Sequence, residues 1–308
     1  MRERGDDRRF LIPNASRPPE RSLPASPTPT AQTVRLARNL GFALVVALGF
    51  LALLEGGLRL AGYPDPGLYA GDVGSIWTLR SDLAPQEVPF PEEGSSFSVR
   101  TNADGFRGGP YPGGGIACLG DSTTFGWGVE EEQAWPAVLA TLTGEPVLNA
   151  GVPGYSTFQG EALLPRVLAL RPQRVILAYL VRDAELAPAP DALRRPAPPL
   201  QIHRALAHLR ARRARTPARI VPRVSVEAFA AAYRRMIAAV RAAGAEPSVL
   251  VFPMREAPQT WVTALRSLRG LAPVLEPHLP EADFFPHDPL HLDPTGHAEL
   301  ARAVAEAL

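Results

Sequence analysis

Lysine is absent from the 308 residues, so all 32 basic side chains are arginine. Against 31 acids the formal charge is +1, which excludes a nucleic-acid binder that works through bulk charge. One cysteine, Cys118, excludes an intramolecular disulfide framework and a cysteine-based zinc site. No serine sits in a G-x-S-x-G elbow, and no P-loop, H-E-x-x-H or EF-hand pattern occurs. The glycines at 113–115 precede an apolar run instead of following one, so they read as a loop and not as a dinucleotide cradle. No internal repeat is visible. The expectation is a chain without cofactor or metal. Proline (34) and glycine (26) are plentiful, which predicts long loops, while 46% apolar and 20% charged residues fit a globular protein.

Residues 1–39 carry eight Arg, four acids and many Pro and Ser. Such a segment cannot bury enough apolar surface to offset its ordering entropy, so a disordered tail is expected. Leu40 to Leu54 then runs 15 residues without a charge, about 22 Å as a helix. With Glu55 at interface depth, residues 40–60 are long enough for a single transmembrane anchor. A cleaved signal peptide and a buried core helix are the competing readings. Arg35 and Arg38 flank the run on its N-terminal side, which leaves the tail in the cytoplasm and the rest outside, periplasmic or at the cell surface. Residues 61–110, rich in Pro, Gly and acids, read as a stalk. It ends in a short strand, Phe97 to Thr101, and a turn from Asn102 to Arg107.

From residue 111 short apolar runs alternate with helical patterns. Strands are expected at Ile116–Leu119, Val147–Asn149, Arg174–Leu180 and Ser248–Phe252. Helices are expected at Gln133–Thr143, Phe158–Leu170, Val226–Ala243, Ala257–Leu268 and from Pro294 to Leu308. Ser225 and Asp293 are the N-cap residues of the third and last helices. This alternation implies a parallel sheet covered on both faces, with a site at the carboxyl ends of its strands. Three strand ends carry chemistry: Gly120-Asp121-Ser122, Asn149-Ala150-Gly151 and Arg182-Asp183. Asp288-Pro289-Leu290-His291 stands just before the last helix. A serine hydroxyl needs a base to take its proton, and the base needs an acceptor to hold its tautomer, so Ser122, His291 and Asp288 fit nucleophilic acyl transfer. His287 is the rival base, and His297 reads as structural.

These residues carry a resemblance. Gly120-Asp121-Ser122-Thr123-Thr124-Phe125-Gly126, Asn149-Ala150-Gly151-Val152-Pro153-Gly154-Tyr155-Ser156 and Asp288-Pro289-Leu290-His291-Leu292 resemble the blocks of the SGNH (GDSL-type) hydrolases. The turn at 102–107 and the anchor resemble a membrane-anchored bacterial branch. The resemblance implies a flavodoxin-like three-layer α/β/α sandwich and ester chemistry, with Ser122 as nucleophile, His291 as base and Asp288 as its partner. It implies the N–H groups of Ser122 and Gly151 as oxyanion donors. The family carries an Asn where this chain has Arg182, so Arg182 stands in for an oxyanion donor, with Asn149 or Asn102 as alternatives.

Residues 184–223 interrupt the alternation with nine Arg against two acids, Glu185 and Asp191, a local charge of +7. A helix from Gln201 to Arg213 is expected there. This insertion reads as a solvated surface, or as a contact for an anionic glycan or lipid. The expected function is a membrane-anchored serine esterase acting on an ester-bearing small molecule or glycan. The alternatives are an O-acetyltransferase of a surface polysaccharide and a silent binding protein of the envelope.

Overall fold

The structure, a computed structural model, describes residues 31–61, 67–196, 200–211 and 220–308. The expected disordered tail lies outside these residues up to position 30. The chain divides into two compact units, Met1–Leu54 and Glu55–Leu308. Helix α1 (Ala31–Leu60) begins in the first. Among the described residues it is the one helix long and apolar enough to cross a membrane. Its 30 residues extend about 45 Å, more than a ~30 Å hydrocarbon core.

The second unit opens with two antiparallel hairpins, β1 (Tyr69–Asp72) with β2 (Ile76–Leu79), and β3 (Gln86–Phe90) with β4 (Ser95–Val99). The described residues from 67 to 110 do not form the expected stalk. Val88 and Phe90 of β3 and Phe97 and Val99 of β4 alternate onto one face and enter the same core as the sheet domain, with Leu68, Leu79 and Phe106. Pro89 between Val88 and Phe90 masks the period-2 pattern of β3, while β4 overlaps the strand expected at Phe97–Thr101.

The sheet domain follows as β5 (Ile116–Gly120), α2 (Ser122–Phe125), α3 (Trp135–Thr143), β6 (Val147–Gly151), α4 (Thr157–Ala169), β7 (Arg174–Ala178) and α5 (Val181–Ala184). The insertion contributes β8 (Leu186–Ala187), α6 (Gln201–Ala211) and β9 (Val221–Pro222), with β8 and β9 paired antiparallel at its root. Arg212 and Arg213, expected to end its helix, lie outside the described residues. Last come α7 (Val226–Ala242), β10 (Glu246–Leu250), α8 (Gln259–Arg266), β11 (Val274–Leu275) and α9 (Pro294–Ala307).

Five parallel strands pair in the order β11-β10-β7-β5-β6. Side chains alternate across the sheet. Ile116 and Cys118 of β5 pack with Trp135 and Leu139 of α3 and with Leu300 and Val304 of α9. Ala117 and Leu119 face the other way, into a core with Leu163 of α4, Met236 of α7 and Val262 of α8. The result is a three-layer α/β/α sandwich. Each buried Leu or Met contributes about 1.5–3 kcal/mol to holding the layers together. Ser225 and Asp293 cap α7 and α9 as their sequence positions imply, accepting from the N–H groups of Ala228 and Gly296. β11, an edge strand of two residues, carries too little pattern to be read from sequence.

The topology selects the place for chemistry. The chain leaves β5 for β6 through α3 on one face and returns past β5 to β7 through α4 on the other. The carboxyl end of β5 is therefore a switch point, where loops part and leave a crevice.

Candidate active site

Ser122 stands two residues beyond that strand end. Asp121 caps the turn, its Oδ1 accepting the Thr123 N–H at 2.9 Å and the Thr123 hydroxyl at 2.8 Å. Gly120 is required because a Cβ there would lie 2.0 Å from Thr124 Oγ1. Beyond α2, Arg107 clamps the returning chain. Its Nη1 donates to the carbonyls of Phe125 (2.8 Å) and Gly126 (2.6 Å), and its Nη2 to that of Val129 (2.7 Å). Its guanidinium lies 4.5 Å from the Phe125 ring centroid. Burial lowers its pKa to about 10, so the clamp stays charged at neutral pH.

His291 reaches Ser122 from the loop before α9. Its Nε2 lies 2.8 Å from Ser122 Oγ, and its Nδ1 lies 2.7 Å from Asp288 Oδ2. The other carboxylate oxygen, Oδ1, accepts the N–H groups of Leu290 (2.7 Å) and His291 (3.0 Å). Burial pushes the Asp288 carboxyl up, but hydrogen bonds from the His291 ring, its charge and these two N–H groups outweigh it and hold the pKa at about 2. The acceptor behind the imidazole thus stays ionised across the neutral range.

A cavity of about 450 Å³ opens on Ser122 and His291, lined also by Tyr69, Trp127, Gly154 and Arg182. Burial raises the Tyr69 phenol to about 12, so it is a neutral donor there. Arg182 follows β7 on α5, with 28% of its side chain exposed. Its Nη1 lies 3.3 Å from Glu185 Oε2, and its Nε is buried with no partner among the described residues. Asp183, next to it, turns inward to accept the Thr157 N–H and hydroxyl, which fixes α5 against the start of α4. A larger cavity of about 650 Å³ beyond β10, lined by Met254, Arg255, His278 and Phe284, holds neither Ser122 nor His291. The smaller one is therefore the candidate site.

Several expected roles change. Gly151 cannot serve as the second backbone donor, because its N–H is taken by Asn149 Oδ1 at 3.1 Å. Gly151 is needed for packing instead, since a Cβ would lie 2.2 Å from the Phe125 nitrogen. Asn149 is no alternative, because its Nδ2 donates to the Phe125 carbonyl at 3.1 Å. Asn102 is likewise spent, donating to the Gly109 carbonyl and accepting the N–H groups of Asp104 and Phe106. His287 is exposed and bound to Glu93, with its Nδ1 3.1 Å from Oε2, so it does not compete for Ser122. His297 is buried, accepts the Trp135 N–H at 3.2 Å and has its pKa lowered to about 3, first by burial, which keeps it neutral. Gly154, three residues beyond Gly151, is the glycine that lines the cavity, with φ +81°. The second Gly of the Gly151-Val152-Pro153-Gly154 stretch was the available signal. Among the described residues no cluster of three or more His, Cys, Asp or Glu side chains is arranged to hold a metal ion.

An α/β/α sandwich with a serine, a histidine and an aspartate in line at its switch point has the architecture of the SGNH hydrolases. Residues 118–299, more than half of the chain, match the model of the GDSL-like lipase/acylhydrolase family, and the chain belongs to that family. Solved structures similar to it include TesA, at 19% identity over 63% of this chain and 97% of that one, with a TM-score of 0.42. An acetyl-xylooligosaccharide esterase from Geobacillus, Axe2, is 15% identical over 64% of this chain and 95% of its own, with a TM-score of 0.43. The psychrotrophic esterase EstA from Pseudoalteromonas sp. is 14% identical over 62% and 94%, with a TM-score of 0.41. No curated protein matches the chain.

Proposed function

We propose that this acylhydrolase-family protein is a serine esterase that cleaves a carboxylic ester, an acetyl ester in the first instance, of a small molecule or glycan. The observation that carries the reading is the line from Ser122 Oγ through His291 to Asp288, 2.8 Å and 2.7 Å, facing an open cavity. Nε2 takes the Ser122 proton as Oγ attacks the ester carbon. Asp288 stabilises the imidazolium, and the same proton then passes to the departing alcohol oxygen. Water, activated by the same imidazole, hydrolyses the acyl-enzyme. A sugar hydroxyl in place of water would make the protein an O-acetyltransferase, since both share the first half-reaction. Failure of Ser122 to react at all would favour the silent binding protein.

The developing oxyanion is met by the N–H groups of Ser122 and Gly154 and by Arg182. The orphaned Arg182 Nε and the shared cavity support that role. Arg182→Ala is expected to lower kcat for p-nitrophenyl acetate by about 10²-fold with KM little changed, while Arg182→Asn, which returns an amide donor, stays within about tenfold. An unchanged kcat in Arg182→Ala removes Arg182 from the oxyanion site.

We read α1 as a single-pass anchor that leaves residues 61–308 outside the cytoplasm, at the cell envelope. Its length, its exposed apolar residues and Arg35 and Arg38 before the apolar run support this. A reporter fused after residue 60 should be active outside the cytoplasm, and cytoplasmic activity would reverse the orientation. The insertion, with Arg195 and Arg210 exposed, is read as a contact for an anionic glycan or lipid.

A further inference from the structure

The Gly154 N–H belongs to the Pro153–Gly154 peptide. The carbonyl of that peptide accepts the indole N–H of Trp77 at 3.3 Å. In a trans peptide the C=O and N–H point in opposite directions. Trp77 does not line the cavity, whereas Pro153 and Gly154 do. Holding the carbonyl toward Trp77 therefore turns the Gly154 N–H away from Trp77, at a residue that lines the cavity containing Ser122. Trp77 is itself fixed. Its ring stands edge-on to Tyr155 with centroids 5.6 Å apart, its carbonyl accepts the Tyr155 hydroxyl at 2.5 Å, and the Arg194 guanidinium lies 5.3 Å from its ring centroid.

The next peptide is held from the other side. Arg223 Nη2 donates to the Gly154 carbonyl at 2.7 Å. Arg223 is in turn paired with fully buried Asp191 at 2.8 Å and with Glu185 at 3.2 Å. Asp191 also accepts the Ser156 hydroxyl at 2.7 Å. Two consecutive peptides are thus pinned by segments added to the sandwich, one by the β1–β2 hairpin and one by the root of the insertion. Trp77 lies outside the 118–299 stretch that matches the family.

We propose that Trp77 is a positioning residue for the oxyanion donor: its indole N–H sets the Pro153–Gly154 peptide so that the Gly154 N–H faces the carbonyl oxygen of the ester. The inference rests on Gly154 being a donor in the esterase reading above. Charge appears on that oxygen only as the tetrahedral intermediate forms, so a tilted donor costs transition-state binding and spares ground-state binding.

The test is Trp77→Phe in the full chain, which keeps an aromatic ring beside Tyr155 and removes the N–H. The expected result is a kcat for p-nitrophenyl acetate lowered about tenfold, with KM within about twofold. The Ki of phenylboronic acid, whose tetrahedral adduct on Ser122 carries an oxygen in the same place, rises by the same factor. The shape of the pH–rate profile stays as in the parent. Replacing Trp77 by 3-benzothienylalanine, with sulfur for N–H in the same ring shape, gives the same kcat and Ki changes without a packing change. Unchanged kcat in both variants of an active parent overturns the proposal alone. So does a loss in Trp77→Phe that the sulfur isostere does not share, because the ring would then act only by packing. A parent that neither turns over nor takes a phosphonate on Ser122 overturns the esterase reading and the proposal with it.

Discussion

Ser122→Ala is expected to lower hydrolysis of p-nitrophenyl acetate by about 10⁴-fold or more, to the residual rate that binding and oxyanion donors alone sustain. That factor corresponds to about 5 kcal/mol of transition-state stabilisation. The fold predicts little cost in stability. Ser122 is 2% exposed, but the turn is held by other groups: the Asp121 cap on Thr123, the Arg107 clamp on Phe125, Gly126 and Val129, and the close approach of Gly151 to Phe125. The lost hydroxyl removes one hydrogen bond, to His291. Thermal melting within a few degrees of the parent, with activity gone, separates lost chemistry from lost folding. A variant retaining a tenth of the activity would show that another group attacks the ester.

Asp288→Asn is nearly isosteric, yet it is expected to lower kcat by about 10³–10⁴-fold. The reason lies in how the two carboxylate oxygens are used. Oδ1 already faces two donors, the N–H groups of Leu290 and His291, so the amide oxygen of an Asn must take that place. The amide NH₂ then replaces Oδ2 against His291 Nδ1. A donor there forces Nδ1 to accept, which puts the imidazole proton on Nε2, where the Ser122 hydroxyl proton has to go. The geometry survives while the tautomer is wrong. Imidazole nitrogen resonances report this directly: the parent is expected to carry its neutral-form proton on Nδ1 and the variant on Nε2. Because Asp288 is held at about 2, the parent keeps its Nδ1 partner ionised down to low pH. The native carboxylate contributes stability that is fully present above its unfolded pKa of about 3.9 and is lost as pH falls through about 2.

The parallel sheet was legible because β5 and β7 are buried on both faces and read as continuous apolar runs, and because Ser225 and Asp293 mark helix starts chemically. The candidate residues Ser122, Asp288 and His291 were legible because short motifs carry them, one at the end of β5 and one just before α9. Residues whose function depends on distant partners were not. Trp77 meets Pro153 across 76 positions, Arg223 meets Asp191 across 32, and Arg107 meets Phe125 across 18. Each looks like an ordinary loop residue in its own neighbourhood. Gly151 and Gly154 sit in one stretch, and only the direction of their N–H groups distinguishes them, one toward Asn149 Oδ1 and one on a peptide whose carbonyl faces Trp77. The stalk reading failed at β3, where Gln86, Glu87 and Pro89 lower local hydrophobicity around Val88 and Phe90 while leaving alternation intact; β4 overlaps the strand expected at Phe97–Thr101.

Covalent labelling tests the central claim most directly. The full chain is treated with a fluorophosphonate, which needs an activated serine and nothing of the natural substrate, and the adduct is located by mass spectrometry of its peptides. The account predicts one adduct per chain, on Ser122, absent from Ser122→Ala and slowed in Asp288→Asn. An unlabelled Ser122 in the folded protein, or an adduct on another residue that persists in Ser122→Ala, would contradict it.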